Sequence, residues 1–500
     1  MNKKASMYSP LHHYMVLEPM SPLPPRSNFT DNAKNYYQNC ERMHANVGSS
    51  VFRESSSMTA TSATTSFVAH KSVKCQKVRS HSSQHESSEI KNITAAEPSL
   101  SSRKHKARSR EGSYRKWFHS KLHSPEAFQD KFLLVSYNIL GDENATHHSD
   151  LYHHIPSHLM NWSSRRRLIC QELDMWKPNV ICFQEVDHFD ELTQDFSKKG
   201  YSGIFKGRTG QARDGCAIFW KNDVFRILQG YSIEFKEHDL RDNVAQLCVF
   251  ELNSSLATVP GNNSKKQVEA NLLQEYNCIK RRVIVGNIHV LFNPKRGDIK
   301  LGQVRILLEK ARELSKKWDR APIVIAGDFN STPQSALYQF LASSKLDLLA
   351  HNRREISGQI ENVPDSDTAT LKQTTFKPIR YNWYEDELKA ATGNSSCTRL
   401  KHPLKLFSAY ACVQGRQGNS RIRDEYGEPL ATTYHSKFLG TVDYIWFSEG
   451  LTPLRVLDTL PLDVLRKTPG LPTHKWGSDH LSLACEFAFS EDKRGDNRSR

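Results

Sequence analysis

Eight short apolar runs between residues 132 and 489 constrain the fold more strongly than any other feature of the sequence. Each run is rich in Val, Ile and aromatic residues and is bounded by turn-forming residues, which is typical of β-strands. Helical spacing appears between them: six apolar residues share one stripe in 298–318, and shorter helices are predicted at 165–176 and 335–342. The pattern predicts a four-layer α/β sandwich, with two packed mixed sheets flanked by helices. The predicted strands are FLLVSYN (132–138), NVICFQE (179–185), GCAIFW (215–220), VAQLCVFEL (244–252), RRVIVGNIHV (281–290), PIVIAGDF (322–329), TVDYIWF (441–447) and SLACEFAF (482–489).

The chain before the first run has a different composition. Residues 1–110 are rich in Ser, Thr, His, Lys and Arg, and their 16 basic and 7 acidic residues contribute +9 of the total net charge of +15. Such a segment buries too little apolar surface to offset the entropy lost on ordering. The predicted regions are a disordered basic N-terminal region over 1–125, a catalytic domain over 131–489, irregular polar surface insertions over 253–279 and 350–405, and a disordered tail over 490–500.

The basic charge of the leader suits a polyanionic partner such as RNA, because Lys and Arg that neutralise phosphates release condensed counterions. A merely solvated tail explains the run SSRKHKARSR equally well. We expect a nuclear and cytoplasmic location. A mitochondrion or plastid is the alternative, since the leader is acid-poor and carries Ser and Arg, although Glu18 and Asp31 argue against a transit peptide.

The ten cysteines indicate a reducing compartment. None forms a CxxC pair, and four of them (Cys170, Cys182, Cys216 and Cys248) lie within apolar runs, as small core residues do. This pattern argues against structural zinc. No run approaches the roughly 18 apolar residues of a membrane span, so no membrane partner is expected.

Polar residues end several predicted strands at places where a core would not accommodate them. Each one alone has an ordinary explanation as a turn residue or a structural histidine. Their recurrence at six strand ends indicates one pocket at one face of the sandwich. Four crowded carboxylates repel one another unless a cation neutralises them, so the pocket predicts a hard divalent metal with oxygen ligands, and Mg²⁺ fits best. The set comprises Asn138, Gln184, Glu185, Asn287, His289, Asp328, Asn330, Asp443, Asp479 and His480.

This combination of side chains suits cleavage of a phosphodiester. A metal and imidazoles stabilise charge on the phosphoryl oxygens, while an acid or amide places the attacking water in line. A zinc hydrolase is the competing interpretation, but it normally carries closely spaced histidines, as in HExxH, and no such motif is present. A non-catalytic RNA-binding adaptor is a further alternative, which the retention of mutually repelling carboxylates disfavours.

The motifs SYNIL, FQEV, DGCAIFW, NIHVLFNP, GDFNSTP, TVDYIWF and WGSDHLSL follow one another between about residues 131 and 489. In this order they resemble the endonuclease/exonuclease/phosphatase superfamily of Mg²⁺-dependent phosphoesterases, and most closely the plant-type deadenylases of the carbon catabolite repressor four group and nocturnin. GDFN and SDH are shared across the superfamily, whereas HVLFNPKRGDIKLGQ and FLGTVD are more specific to the deadenylase branch. The resemblance implies a poly(A)-specific 3′→5′ exoribonuclease that releases 5′-AMP in mRNA turnover.

The resemblance also implies which residues bind the metal and the attacking water. Glu185 would be the principal Mg²⁺ ligand, with Asn138 beside it and Asp479 as a further candidate. Asp328 and Asn330 would hold and polarise the attacking water or a second Mg²⁺.

Contacts to the substrate are implied in the same way. His480, oriented by Asp443, would face the scissile phosphate, and His289 would bind phosphate oxygens. Pro294 and Phe438 would lie on either face of a terminal adenine, as expected for an unstacked base. Further basic residues that would contact the substrate are Lys295, Arg296 and Arg213.

Two departures from the family pattern leave partner and substrate open. Scaffold-bound yeast and animal members carry leucine-rich repeats before the nuclease domain, where this chain has a basic segment. Docking onto subunits of a deadenylation complex through such repeats is therefore not expected. Nocturnin-like relatives favour a nicotinamide dinucleotide phosphate, so a phosphatase acting on a dinucleotide 2′-phosphate is the alternative function.

Overall fold

Seventeen strands organise the part of the chain that the structure describes. This computed structural model describes residues 115–121, 123, 125–253, 280–359, 382–413 and 421–490. The disorder predicted for 1–114 and 491–500 and the insertion predicted for 254–279 lie outside the described residues. The strands are β1 Trp117–His119, β2 Lys131–Asn138, β3 Val180–Gln184, β4 Tyr201–Gly207, β5 Gly215–Lys221, β6 Phe225–Glu234, β7 Val244–Leu252, β8 Arg282–His289, β9 Ile323–Asp328, β10 Lys345–Asp347, β11 Arg399–Lys401, β12 Leu406–Ser408, β13 Thr433–His435, β14 Phe438–Gly440, β15 Asp443–Ser448, β16 Leu451–Leu457 and β17 Leu483–Phe489.

Two large mixed sheets face each other. The first has the strand order β1-β16-β17-β2-β3-β5-β4 and the second has the order β12-β15-β9-β8-β7-β6, while β10-β11 and β13-β14 form two-stranded ribbons. β2 pairs with β3 and β8 with β9 in parallel, whereas β2 with β17 and β8 with β7 are antiparallel. Successive residues of β2 point to opposite sides, so Phe132 and Leu134 join the apolar layer between the sheets while Leu133 and Val135 join the layer beneath the helices.

A polar contact joins the two sheets near the ends of β3 and β8. The Gln184 amide donates to Asn287 Oδ1 at 2.8 Å, and the Asn287 amide donates to the carbonyls of Phe183 and Ala217 at 2.8 and 3.0 Å. Both side chains are fully buried. Of the predicted polar set, Gln184 and Asn287 are therefore occupied in holding the sheets together.

Helices cover the outer faces of both sheets, which confirms the predicted four-layer sandwich. Ile169 of α3 (Trp162–Trp176) and Leu192 of α4 (Phe189–Ser197) pack on the first sheet. Tyr338 of α6 (Ala336–Ser343) packs edge-on against Trp446 of β15, with ring centroids 5.0 Å apart. None of the described helices combines the length and hydropathy that crossing a membrane needs. The helices are α1 Asp142–His147, α2 Ser157–Met160, α3 Trp162–Trp176, α4 Phe189–Ser197, α5 Gly297–Lys317, α6 Ala336–Ser343, α7 Glu385–Thr392, α8 Ala409–Cys412 and α9 Leu462–Leu465. Short 3-10 turns occupy Pro125–Ala127, Ser149–Leu151, Phe235–His238, Leu348–Ala350 and Arg353–Glu355.

The predicted apolar stripe of α5 is buried along its whole length. The stripe lies against the outer face of the second sheet. The helix itself begins directly after the loop that follows β8. The stripe residues are Leu301, Val304, Leu307, Leu308, Ala311 and Leu314.

The predicted end of the disordered leader, residue 125, is wrong. β1 adds an edge strand to the first sheet by antiparallel pairing with β16. Arg115 is nearly buried in an ion pair with Glu172, and the Trp117 ring meets the Trp176 ring edge-on with centroids 5.6 Å apart. These partners lie far away in sequence, so composition within a local window could not reveal them.

The predicted irregular insertion over 350–405 is wrong for residues 385–392 and 399–401, which form a helix and a strand. α7 packs closely on α5, since a Cβ at Gly302 would come within 2.3 Å of the Ala390 carbonyl oxygen. β11 pairs with β10. Eight residues with Leu388 and Ala391 buried are too few to produce a clear helical period.

Candidate active site

Three adjacent strands of the second sheet end in polar side chains at the same level. Asp328 at the end of β9 is the register partner of both His289 at the end of β8 and Asp443 at the start of β15. Residues in register share a face of the sheet, and this is the face that looks toward the first sheet. The second sheet therefore presents two carboxylates and an imidazole side by side at one end of the sandwich.

The first sheet contributes Asn138 and Glu185 from the ends of β2 and β3. The Asn138 amide donates to Glu185 Oε1 at 2.9 Å and to Asp328 Oδ2 at 3.1 Å, so it connects the two sheets across the site. Glu185 has a positive φ of 56°, at the turn that ends β3. Its Oε2 accepts hydrogen bonds from the Gly141 amide at 3.1 Å and the Asn144 side chain at 2.9 Å.

Asp328 and Asn330 face the same pocket, as predicted, but the backbone between them is not extended. Asn330 adopts a positive φ of 45°, and its amide nitrogen donates to Asp328 Oδ1 at 2.8 Å. This turn buries Phe329 completely in the core and aims the Asn330 side chain at His289. Burial, with repulsion from Asp443, raises the pKa of Asp328 to about 7.

His289 is held as a neutral imidazole. The Asn330 side-chain amide donates to the Val290 carbonyl at 3.0 Å and lies 3.2 Å from His289 Nε2, so Nε2 accepts and the proton lies on Nδ1. Burial lowers the pKa of His289 to about 4, although the charge of Asp214 favours its protonated form. His289 Nε2 also lies 3.6 Å from Asp328 Oδ2.

His480 and Asp443 form a hydrogen-bonded pair, with 2.9 Å between Nδ1 and Oδ2. His480 Nε2 points between two further carboxylates, 3.9 Å from Asp328 Oδ2 and 4.0 Å from Asp479 Oδ2. Burial alone would lower the pKa of His480, but the charges of Asp443 and Asp479 raise it well above its ordinary value. These carboxylates therefore favour the protonated ring, and the pairing with Asp443 engages its Nδ1.

Asp479 is itself fixed by its neighbours. The Tyr152 hydroxyl donates to Asp479 Oδ2 at 2.8 Å, and the Asp479 carbonyl accepts from Tyr434 N at 3.0 Å and Thr433 Oγ1 at 2.9 Å. These bonds attach the β13-β14 hairpin to the segment that carries His480.

The donor set fits a hard divalent cation. Asp328, Asp443 and His480 each offer a ligand atom, and these atoms lie within 4.8 Å of one another. Glu185 adds a carboxylate that shares the Asn138 amide with Asp328. Burial and mutual repulsion raise the pKa of a carboxyl group in such a cluster, and a bound cation relieves both effects. Oxygen donors favour cations of the Mg²⁺ type. Asp443 is already committed to His480, so Glu185 is a better-placed oxygen ligand, and Asp328 lies next to it across the shared Asn138 amide.

The predicted substrate residues border the site on two segments. Pro294 and Lys295 lie in the loop between β8 and α5, and Phe438 begins β14, with its ring centroid 6.2 Å from that of His435. The Arg296 guanidinium is held by Asp298 at 2.7 Å, which directs it toward the start of α5. Arg213 is 82% exposed, with its Nε 3.9 Å from Glu143 Oε1.

Two residues of the site were not predicted from the sequence. Asp214 precedes β5 and is 2% exposed; its Oδ1 accepts from Arg208 at 3.3 Å, while its Oδ2 has no partner among the described residues. Lys300 is completely buried and donates to the Asn330 carbonyl at 2.7 Å. An acid before a strand usually indicates only a turn, whereas a lysine at a buried position of the α5 pattern is a departure from amphipathic spacing that could have been noticed.

Comparison with known proteins shows one matching family, similar sequences and a similar solved structure. Residues 135–480 match the Endonuclease/Exonuclease/phosphatase family. Over 384 residues the chain is 49% identical to carbon catabolite repressor protein 4 homolog 5 of Arabidopsis thaliana, covering 76% of this chain and 81% of that protein. Homolog 3 of the same species is 47% identical over 382 residues, covering 76% and 80%. The fold is similar to that in the crystal structure of ANGEL2, a 2′,3′-cyclic phosphatase, in complex with adenosine-2′,3′-vanadate. The sequence identity is 30% and the TM-score is 0.57, over 75% of this chain and 99% of that chain.

Proposed function

The chain belongs to the endonuclease/exonuclease/phosphatase family, and from this premise we propose that it is a Mg²⁺-dependent 3′→5′ exoribonuclease that shortens poly(A) tails and releases 5′-AMP. Its place of action would be mRNA turnover in the nucleus and cytoplasm. The observation that carries the proposal is the convergence of polar strand ends from both sheets on one pocket. The converging residues are Asn138, Glu185, His289, Asp328, Asn330, Asp443, Asp479 and His480.

Four residues of the pocket act directly on the water and the phosphate or orient the groups that do. Water attacks the phosphorus on the 5′ side of the terminal adenosine, and the bond from phosphorus to the 3′ oxygen of the preceding nucleotide breaks. Asp328, whose pKa is about 7, takes the proton of the attacking water. The His480 imidazolium, oriented by Asp443, donates to the phosphoryl oxygens. Asn330 positions the water beside Asp328.

Glu185, with Asn138 beside it and Asp479 as a further candidate, would hold the Mg²⁺. When bound, the ion supplies positive charge that offsets the negative charge of the phosphoryl oxygens. The carboxylates then no longer repel one another, and the amide of Asn138 keeps Glu185 and Asp328 at a fixed separation.

Two considerations favour poly(A) as the substrate. Two of the relatives most similar in sequence are homologs of carbon catabolite repressor protein 4. Pro294 in the loop after β8 and Phe438 at the start of β14 would also offer the flat apolar surfaces that hold an unstacked base. Lys295, Arg296 and Arg213 would add basic contacts to the RNA backbone.

The similarity to ANGEL2 favours a second candidate, hydrolysis of a terminal 2′,3′-cyclic phosphate. The attack of water on phosphorus is the same, but the leaving oxygen belongs to the same ribose. A phosphatase acting on a dinucleotide 2′-phosphate would use the same pocket, and the basic residues of the β8–α5 loop suit that ligand as well.

The test compares three substrates with purified wild-type protein, with Mg²⁺ and with EDTA. They are oligo(A) ending in a 3′ hydroxyl, the same oligonucleotide ending in a 2′,3′-cyclic phosphate, and a dinucleotide 2′-phosphate. Release of 5′-AMP from the first, lost with EDTA and in Glu185→Gln, is the expected result. Glu449→Gln is the matched control, because Glu449 is an exposed acid just beyond the opposite end of β15. Turnover of only the second or third substrate would reassign the activity, and no Mg²⁺-dependent turnover of any would favour an RNA-binding adaptor.

A further inference from the structure

Phe292 presents an aromatic ring to solvent at the edge of the candidate active site. It is one of the few large apolar side chains that are exposed among the described residues, with 51% of its surface accessible. It lies three residues after His289 and two before Pro294, in the loop that leads from β8 to α5. A single exposed aromatic ring is common on protein surfaces, so what distinguishes Phe292 is its position and what lies beside it.

The loop that carries Phe292 is held firmly on both sides of the ring. Leu291 N donates to Gln303 Oε1 at 2.9 Å, and the Val290 carbonyl accepts from the Asn330 side chain at 3.0 Å. The Phe292 carbonyl lies 3.4 Å from Lys300 Nζ. The ring is therefore displayed by a fixed backbone, which is the condition for a preformed binding surface.

A second flat ring lies beside Phe292. The His148 imidazole has its centroid 6.0 Å from that of Phe292, and the two planes are inclined at 41°. His148 follows α1, and α1 is attached to the site because Asn144 donates to Glu185 Oε2 at 2.9 Å. Two flat faces at the mouth of a phosphodiester site match a nucleobase better than an aliphatic ligand, since every base has a face that stacks on aromatic rings.

The exposure of Phe292 indicates which base it would hold. The terminal nucleotide is the innermost one in an exonuclease site, because the chain ends there, and Pro294 and Phe438 are both half-buried. The remainder of the RNA leaves toward solvent. An exposed ring two residues from Pro294 lies within about 7 Å of it along the backbone, which is within reach of an adjacent nucleotide.

We propose that Phe292, with His148 beside it, is a stacking platform for the penultimate nucleobase, the one whose ribose supplies the leaving 3′ oxygen. This subsite rests on the proposed exonuclease function and deepens it. It explains how an enzyme that needs a polymer could distinguish an oligonucleotide from a mononucleotide, since only the oligonucleotide has a base on that side of the scissile phosphate.

The test is a double-mutant cycle between Phe292 and the penultimate base. Wild type and Phe292→Ala are each given oligo(A) and the same oligonucleotide with an abasic penultimate nucleotide. Loss of one stacked base corresponds to a decrease of about 5- to 150-fold in kcat/KM. We expect that decrease for either change alone, no further decrease when both are combined, and rescue by Phe292→Trp. Tyr231→Ala, an exposed aromatic on the edge strand β6, is the matched control and should leave both substrates unaffected.

The assignment of Phe292 as a stacking platform would be wrong if the two decreases in kcat/KM multiply when the changes are combined. It would also be wrong if kcat/KM is unchanged in Phe292→Ala. If wild type does not trim oligo(A), the proposed function fails separately. The same cycle is then measured as the Kd of fluorescein-labelled oligonucleotides by anisotropy. A non-additive loss of affinity upholds the platform as a base-binding site, and additive or absent losses refute it.

Discussion

Replacing the buried Lys300 with methionine is expected to stabilise the protein at neutral pH and yet to slow its reaction. Lys300 is completely buried, and burial lowers its pKa from 10.5 to about 7. Its ammonium donates to the carbonyls of Asn330 at 2.7 Å and Phe292 at 3.4 Å. Methionine has a similar length and volume but carries no charge, so the cavity stays filled.

The magnitude follows from the depressed pKa of Lys300. One unit of pKa corresponds to about 1.4 kcal/mol, so at pH 7 the buried amine destabilises the folded state by about 4 kcal/mol relative to an amine that titrates at 10.5. Removing it leaves the Asn330 carbonyl unsatisfied, which costs about 1–3 kcal/mol. The variant should therefore be more stable than wild type at pH 7 by on the order of 1–3 kcal/mol.

The difference between the two proteins should depend on pH. Between pH 7 and 10.5 the unfolded chain keeps the lysine proton that the folded chain has released, so wild-type stability rises with pH through this group. At pH 9 the destabilisation has fallen to about 2 kcal/mol. The advantage of Lys300→Met should thus shrink by about 2 kcal/mol from pH 7 to pH 9, since groups that do not interact with Lys300 contribute equally in both proteins.

Urea unfolding of wild type and Lys300→Met at pH 7 and pH 9 measures this difference. Lys316→Met on the exposed side of α5 is the control and should show no such pH dependence. In the same variant, loss of the anchor on Asn330, whose φ is 45°, should lower kcat at least tenfold, since small displacements of positioned groups slow catalysis strongly. A stability difference that does not change with pH would refute the depressed pKa, and an unchanged kcat would refute the positioning role.

Three further outcomes are expected. Asp443→Asn should lower kcat at least a hundredfold with little change in Tm, because it removes the charge that keeps His480 protonated. A profile of kcat against pH checks this, since the limb of the wild-type profile that belongs to His480 should be absent from the variant. Asp214→Asn should lower the pKa of His289 further, because it removes the carboxylate whose charge favours the protonated ring; NMR titration of His289 checks this, and an unchanged pKa would show that the two side chains do not interact. Burial lowers the pKa of His402 to about 4, so below pH 6.5 the unfolded chain binds a proton at this residue that the folded chain does not, and His402 should contribute a loss of about 2 kcal/mol of stability between pH 7 and pH 5; urea unfolding of His402→Gln should lack this component.

The sequence by itself determined the class of the fold and indicated most of the polar side chains of the site. Side chains alternate with a period of two in strands and recur with a period of 3.6 in helices, so burial leaves a local record that can be read without knowing any partner. The strands of both sheets that carry the site and the stripe of α5 were predictable for this reason. Polar residues at strand ends such as Asp328 and Asp443 were conspicuous because they interrupt that record.

Tertiary structure alone decided which polar residues act together. Gln184 and Asp328 look alike in sequence, since each ends a buried strand, yet Gln184 joins the sheets and Asp328 faces the pocket. β1, Asp214 and Lys300 acquire their roles from partners that are distant along the chain. Pairing between strands and contacts across two sheets depend on packing at long range, and a single sequence carries no local signal of which distant residue a side chain will meet.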